Sequence, residues 1–271
     1  MIILAATPIG NLADASPRLV EALENAKFIA AEDTRTTLKL AQALGIHLNA
    51  KLFSLNEQNE GSRLEQLVAL ATEEDLLVVS DAGMPTVSDP GFQLVRAATA
   101  AGLDVTVIPG PSAVISALAV SGLATDRFTF EGFLPRKTGE RKKIFTELLT
   151  ERRTMVFFEA PHRILESLED AAAVLGGDRK ASVSRELTKK YEQTIRGSLS
   201  ELIDWAKGEP KGEMVLVISG SEAVEVSIES LVPNVLKLAA ETGLKQAVAE
   251  IAGAYGVSKS ELYQASLDAR A

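Results

Sequence analysis

The 271-residue sequence contains no cysteine, which excludes disulfide scaffolds, thiolate nucleophiles and Cys-ligated zinc. It has two histidines, His47 and His162, too few for a multi-His site, so no metal is expected. No apolar stretch approaches the roughly 20 residues that cross a bilayer. Met1 to Thr7 carries no basic residue and runs into Pro8, a poor signal peptide and a good first strand. The expectation is a soluble, cytoplasmic protein with no membrane partner. Positive charge is short as well: 28 Lys and Arg stand against 37 Asp and Glu, a net of −9. On totals alone, that argues against a basic nucleic-acid coat protein. Nucleotide signatures are missing too. No G-x-G-x-x-G follows the first strand and there is no G-x-x-x-x-G-K-[ST]. Gly110-Pro111-Ser112-Ala113-Val114 lacks the last glycine of a G-x-S-x-G elbow.

What is present is ordinary core material, 46% hydrophobic and 24% charged, in a chain long enough for two domains or one large domain with an appendage. The first half alternates strands and helices. Ile2 to Thr7, Phe28 to Ala31, Leu76 to Val79 and Val105 to Ile108 read as strands. Between them, Pro17 to Ala26 reads as a helix capped by Ser16, and Thr36 to Leu44 as one stopped by Gly45. Another starts at the Ser62-x-x-Glu65 box, and a further helix opens at Asp89-Pro90. This alternation predicts a mostly parallel sheet.

From Gly122 the pattern changes. Phe128 to Phe133, Met155 to Phe158, Ala181 to Leu187, Tyr191 to Gly197 and Met214 to Ile218 read as strands. Only Thr188 to Lys190 separates two of them, too short for a parallel crossover, so that pair is expected to be antiparallel. Ser198-x-x-Glu201 heads a helix carrying Trp205. The expected class is α/β: domains over 1–122 and 123–220, the second with a mixed sheet, then a linker and helical tail over 221–271. Ser221 to Ser230 reads as the linker. Lys245 to Ala254, a turn at Gly256 and a last helix headed by Ser258 resemble a helix-turn-helix hairpin. A helical cap on the body fits equally well, and without basic charge the tail is a poor reader of DNA.

Three junctions after strands are rich in Gly and Pro: Thr7-Pro8-Ile9-Gly10-Asn11, Asp81-Ala82-Gly83-Met84-Pro85 and Pro109-Gly110-Pro111-Ser112-Ala113. In a parallel sheet they gather at the carboxyl edge, where such sheets bind ligands. Together with Glu32-Asp33-Thr34-Arg35 and Ser88-Asp89-Pro90-Gly91, these blocks resemble the tetrapyrrole-methylase superfamily. Gly132-Phe133-Leu134-Pro135-Arg136-Lys137, Glu159-Ala160-Pro161-His162-Arg163 and Arg185-Glu186-Leu187-Thr188-Lys189-Lys190-Tyr191-Glu192 are similar to members acting on small-subunit ribosomal RNA. The resemblance runs from about Ile3 to Gly220. It departs at Met84, where the family usually has Thr.

The resemblance implies two α/β domains of the tetrapyrrole-methylase type and a cleft between them for S-adenosylmethionine. A small helical C-terminal domain and a homodimer are also implied. The activity implied is methylation of the ribose 2′-hydroxyl of a decoding-region cytidine in 16S rRNA, within the small subunit. Cofactor contacts fall on Pro8, Ile9, Gly10, Asp81, Ala82, Gly83, Met84, Ser112 and Ala113, and on Phe158, Leu187 and Met214 of the second domain. A weakly nucleophilic hydroxyl needs a base or a field favouring alkoxide. Asp33, Glu159 and Glu186 are the acidic candidates, with Arg35, Arg185 and Lys189 as charge stabilisers, and the residues alone select no single base.

Charge position supports an RNA partner. Arg136 to Arg153 and Asp178 to Gly197 together carry +7, against −16 for the rest. The expected RNA contacts are Arg35, Arg136, Lys137, Arg141, Lys142, Lys143, His162, Arg163, Arg185 and Lys190. A methylase of a tetrapyrrole or another small substrate, and a non-catalytic ribosome-associated RNA-binding protein, stay open as alternatives.

Overall fold

A computed structural model of the protein describes residues 1–221, 228–255 and 257–269. Met1–Ser221 forms one compact unit and the tail another.

The first sheet contains β1 (Ile2–Ala5), β2 (Phe28–Ala31), β3 (Lys51–Ser54), β4 (Leu76–Val79) and β5 (Val105–Ile108), ordered β3-β2-β4-β1-β5. All four pairings are parallel. Helices α1 (Pro17–Asn25), α2 (Thr34–Ala43), α3 (Glu60–Glu73) and α4 (Phe92–Ala100) make the crossovers. One core face gathers Ile2, Leu67, Leu76, Val78 and Leu94, the other Leu19, Leu23, Ile29, Leu77 and Val79. A sheet covered on both faces explains why Leu76–Val79 is continuously apolar and buried.

Several expected boundaries move. β1 stops at Ala5, and Thr7 instead makes an isolated antiparallel bridge to Gly83. Ser62 does not open α3: its hydroxyl donates back to the Asn59 carbonyl (2.9 Å), and the helix starts at Glu60. α4 starts at Phe92, not at Asp89-Pro90, because Gly91 takes the cap position with φ +119°. That cap has no side chain. Glu60, buried on α3, supplies it, accepting from the backbone N–H of Gly91, Gln93 and Leu94 at 2.9–3.2 Å.

After α5 (Ala113–Ser121), the second sheet uses β6 (Phe128–Phe133), β7 (Thr154–Glu159), β8 (Lys180–Arg185), β9 (Gln193–Ser198) and β10 (Met214–Ile218), ordered β6-β7-β10-β8-β9. The sheet is mixed: β6 and β7 are parallel, while β10 runs antiparallel to β7 and β8, and β8 to β9. Helices α6 (Thr138–Glu147), α7 (Ile164–Leu175) and α8 (Leu199–Ala206) cover one face around Phe145, Phe157, Leu168, Leu202 and Leu216. At the head of α8, Ser198 and Glu201 make both bonds of a capping box. The other face meets α5: Val114, Ala117 and Leu118 pack with Ile9, Val156, Leu187, Val215 and Val217, forming the seam between the two sheets.

In the tail, α9 (Ile228–Thr242), α10 (Leu244–Tyr255) and α11 (Lys259–Asp268) pack around Leu231, Val235, Val248 and Leu262. Ser258 caps α11. The expected linker ends earlier than Ser230, since α9 begins at Ile228. Its residues 222–227 and the expected turn at Gly256 lie outside the described residues.

Candidate functional site

Strands β4, β1 and β5 are neighbours, so the three Gly/Pro-rich turns after them emerge side by side at the carboxyl edge. Paired bonds between Thr7 and Gly83 (2.9 and 3.1 Å) tie the first turn to the second. A methyl group on Gly110 would lie 2.8 Å from Ala6 Cβ, so only glycine lets the third turn pack on the first. Between these turns and the second sheet lies a cleft of about 420 Å3, a small-molecule size.

Ile9, Asp81, Ala82, Gly83, Met84, Ser112, Ala113, Phe158, Leu187 and Met214 line it. Pro8 and Gly10 do not. A methyl on Gly10 would come 2.5 Å from Lys189 Cγ, so this glycine admits the lysine stem of the β8–β9 loop. The sequence reading missed Glu32, Val87, Ser88, Asp89, Phe133 and Glu213, which also line the cleft. Asp89 and Phe133 both lie in segments that carry the family resemblance, Ser88-Asp89-Pro90-Gly91 and Gly132-Phe133-Leu134-Pro135-Arg136-Lys137, and that position is the signal that could have found them.

The acidic wall is knit by its own backbone. Glu32 accepts from the Asp81 N–H and Asp81 from the Asp33 N–H, both at 3.1 Å, bracketing the ends of β2 and β4. Burial raises the pKa of both carboxyls. Asp89 goes furthest: lost hydration, then the nearby Glu32 charge, push it up to about 7. Backbone strain collects on both sides of the cleft, with left-handed φ at Thr86 and Ser88 in one loop and at Glu186 and Thr188 in the other.

The three acidic candidates from the sequence are otherwise occupied. Asp33 caps α2 through the Arg35 N–H (2.8 Å) and pairs with the Arg35 guanidinium (2.6 Å), which holds its carboxyl at about 2; it lies outside the cleft lining. Glu159 lines the cleft but is buried, accepting from Ser167 Oγ (2.5 Å) and the Ala160 N–H (2.7 Å) and pairing with Arg163 (2.5 Å). Glu186 accepts from Lys189 Nζ (3.1 Å) and the Glu213 N–H (3.1 Å), and the Lys189 bond lowers its pKa. Burial works against the Lys189 charge, but Glu213 (2.8 Å) and Glu186 outweigh it and raise its pKa.

Arg141 is a correction. It is 0% exposed, bonded to Asp170 through Nε (2.7 Å) and Nη2 (2.6 Å) and to the carbonyls of Pro135 and Arg136 (3.2 Å). Buried and neutralised between α6 and α7, it cannot touch RNA. Arg163 also turns inward, donating to the Leu134 carbonyl (3.1 Å) besides its Glu159 pair. Arg185 is partly buried and bonds Gln193 and the Lys211 carbonyl, both at 2.9 Å. Arg35, paired with Asp33, is exposed, as are Arg136, Lys137, Lys142, Lys143, His162 and Lys190.

The architecture is that of a known class. A family model described as tetrapyrrole (corrin/porphyrin) methylases matches residues 1–203, and the chain belongs to that family. Within it, the chain's relatives include ribosomal RNA small subunit methyltransferase I proteins. The one from Mycobacterium tuberculosis (strain CDC 1551 / Oshkosh) is 47% identical over 99% of this chain and 95% of its own length. That from Escherichia coli O157:H7 is 46% identical over 97% and 93%. A model described as the RsmI C-terminal HTH domain matches residues 235–270. Among solved structures, the methyltransferase CobJ has a TM-score of 0.60 at 19% identity, covering 81% of this chain and 94% of its own. Diphthine synthase has 0.58 at 15%, covering 80% and 89%. At these identities the likeness shows the fold alone. Among the described residues no His/Cys/Asp/Glu group could hold a metal, and no helix is long and apolar enough to cross a membrane.

Proposed function

We propose that the protein transfers a methyl group from S-adenosylmethionine to the ribose 2′-hydroxyl of a cytidine in the decoding region of 16S rRNA, within the small ribosomal subunit. The observation that carries this reading is near-full-length identity of 47% and 46% with proteins named ribosomal RNA small subunit methyltransferase I. The cleft suits the cofactor. Ile9, Met84, Leu187 and Met214 give apolar walls for an adenine, and Asp81 and Glu32 complement an ammonium. Ser112 does not cap α5 with its side chain, leaving the helix's first N–H groups for a carboxylate.

When bound, the cofactor would supply an electrophilic methyl carbon on a sulfonium, with a neutral thioether as the leaving group. The protein's share is alignment, exclusion of water and management of one proton. Asp89 is the base: its carboxylate lines the cleft, its proton affinity sits near neutrality, and the other candidates are engaged elsewhere. Lys189 is a positioning residue. Bridging Glu186 and Glu213 with its stem across Gly10, it holds the β8–β9 loop against the first turn. Exposed Arg136, Lys137, Lys142, Lys143 and Lys190 meet phosphate. The protein works in the cytoplasm as a homodimer. Support for the dimer comes from edge strand β5, which exposes Val107, and from α5, which exposes Ile115 and Val120.

The test is labelled methyl transfer to purified small subunits, naked 16S RNA and free tetrapyrroles, followed by nuclease digestion. A 2′-O-methylated cytidine is expected. Label on tetrapyrrole alone, or on a base instead of a ribose, overturns the reading.

A further inference from the structure

Strand β6 is broken in a way that re-aims one side chain. Phe130 pairs with Val156 and Phe133 with Phe158, so three steps along β6 match two along β7. Gly132, at φ +70°, lies in this bulge. In a regular strand Phe130 and Phe133 would face opposite sides. Here both lie against Phe158, their ring centroids 4.9 and 5.2 Å from its own. Phe130 and Phe158 are half-buried, whereas Phe133 lines the cleft with 60% of its surface exposed. A bulge that turns a phenyl ring toward an open cleft does not serve packing, since burying the ring would be the stable choice.

The surroundings indicate what the ring receives. A methyl on Gly132 would lie 3.8 Å from Ser88 Oγ, so the bulge stands beside the loop that carries Asp89. Exposed Arg136 and Lys137 follow three and four residues later, cations suited to the phosphates beside a bound nucleotide. A ribose hydroxyl within folded RNA reaches a cleft only if its nucleotide leaves the stack, and the lost stacking must be replaced.

We propose that Phe133 is the platform on which the base of the target nucleotide stacks after swinging out of the RNA, bringing its ribose over the cleft beside Asp89. This rests on the rRNA ribose reading above.

The experiment compares wild type with Phe133→Ala, Phe133→Leu, Phe133→Tyr and Phe133→Trp. It reads kcat/KM for methyl transfer to purified small subunits, S-adenosylmethionine affinity by calorimetry, and Tm. Ala and Leu are expected to lower kcat/KM roughly tenfold to a hundredfold. Tyr and Trp are expected to stay within about threefold, with cofactor affinity and Tm unchanged throughout. Rescue by Leu would reduce Phe133 to an apolar wall and overturn the proposal. So would wild-type rates in Ala, parallel losses of cofactor affinity, or a loss seen only with a free tetrapyrrole acceptor. A wild-type enzyme that labels no RNA would overturn the underlying reading itself, an outcome separable from any variant's behaviour.

Discussion

Glu60 sits on α3 yet completes α4. Gly91 at the cap position has no side chain to offer, and the Glu60 carboxylate takes three of the helix's orphan N–H groups. Charge-assisted bonds of this kind contribute about 1.5–3 kcal/mol each and do not add fully. Glu60→Ala is expected to cost about 2–4 kcal/mol in urea unfolding, because it leaves buried donors unpaired. Asp89 makes the opposite bargain, holding a carboxyl in poor solvation at the cleft. Its folded-state pKa of about 7 lies above the ordinary 3.8. The folded protein therefore binds more protons than the unfolded chain between those values, and stability falls as pH rises from about 4 to 7. Asp89→Asn removes that dependence, so its stability relative to wild type should improve from pH 5 to pH 8 in matched urea titrations. If Asp89 is the base, wild-type kcat/KM climbs with pH to a plateau above about 7. Asp89→Asn then loses roughly 10²–10⁴-fold and the inflection with it. A variant of near-normal rate would remove Asp89 from the proton path.

At the level of elements, α6 and α7 are joined through charge, with Arg141 closed over Asp170. Removing one partner of a buried pair typically costs about 3–5 kcal/mol, because the other charge stays buried alone. Arg141→Ala should lose that much in guanidinium unfolding, and a loss under 1 kcal/mol would show the pair to be dispensable. The same arginine shows where sequence reading stops. Its basic neighbours look alike in the chain, and only Asp170, 29 residues on, decides which one turns inward. Local signals were legible where the interaction itself is local. Ser16 and Ser198 cap α1 and α8, and the shortness of the link between two strands made β8 and β9 legible as antiparallel. β8 ends at Arg185 and β9 begins at Gln193, however, so the link spans residues 186–192 and not the three expected. Ser62 misled because its hydroxyl bonds backward to the preceding turn. β3 escaped notice because Lys51–Ser54 is four residues long with one buried, and its pairing with β2 is not written in its own composition. The three Gly/Pro turns were visible as a site because each follows a strand. That they adjoin depends on strand order β4-β1-β5, which is set by tertiary packing.

For the whole molecule, the net charge of −9 conceals two segments that together carry +7, and the folded structure leaves fewer of those charges free than the sum suggests. Arg141 and Lys189 are spent on internal pairs, Arg153 closes on Glu151, and Arg196 donates to the Val120 carbonyl at the end of α5. Among the exposed cations, Arg136 and Lys137 lie just beyond β6 and Lys190 lies beside Tyr191 on the β8–β9 loop. Arg136 follows β6 and Lys190 leads into β9, the two edge strands of the second sheet, so RNA held by both would lie across the end where β6, β7 and β8 finish. Lys142 is a poor probe of this, since its Nζ lies 3.5 Å from Asp170 and reversing its charge would disturb the Arg141 pair. Arg136→Glu combined with Lys190→Glu avoids that fault. The double variant should raise KM for small subunits about tenfold and flatten the dependence of log KM on log salt, because fewer counterions are released. Its affinity for S-adenosylmethionine and its Tm should stay at wild-type values, as neither residue lines the cleft or pairs internally with an acid. An unchanged salt slope would move the RNA track off this face.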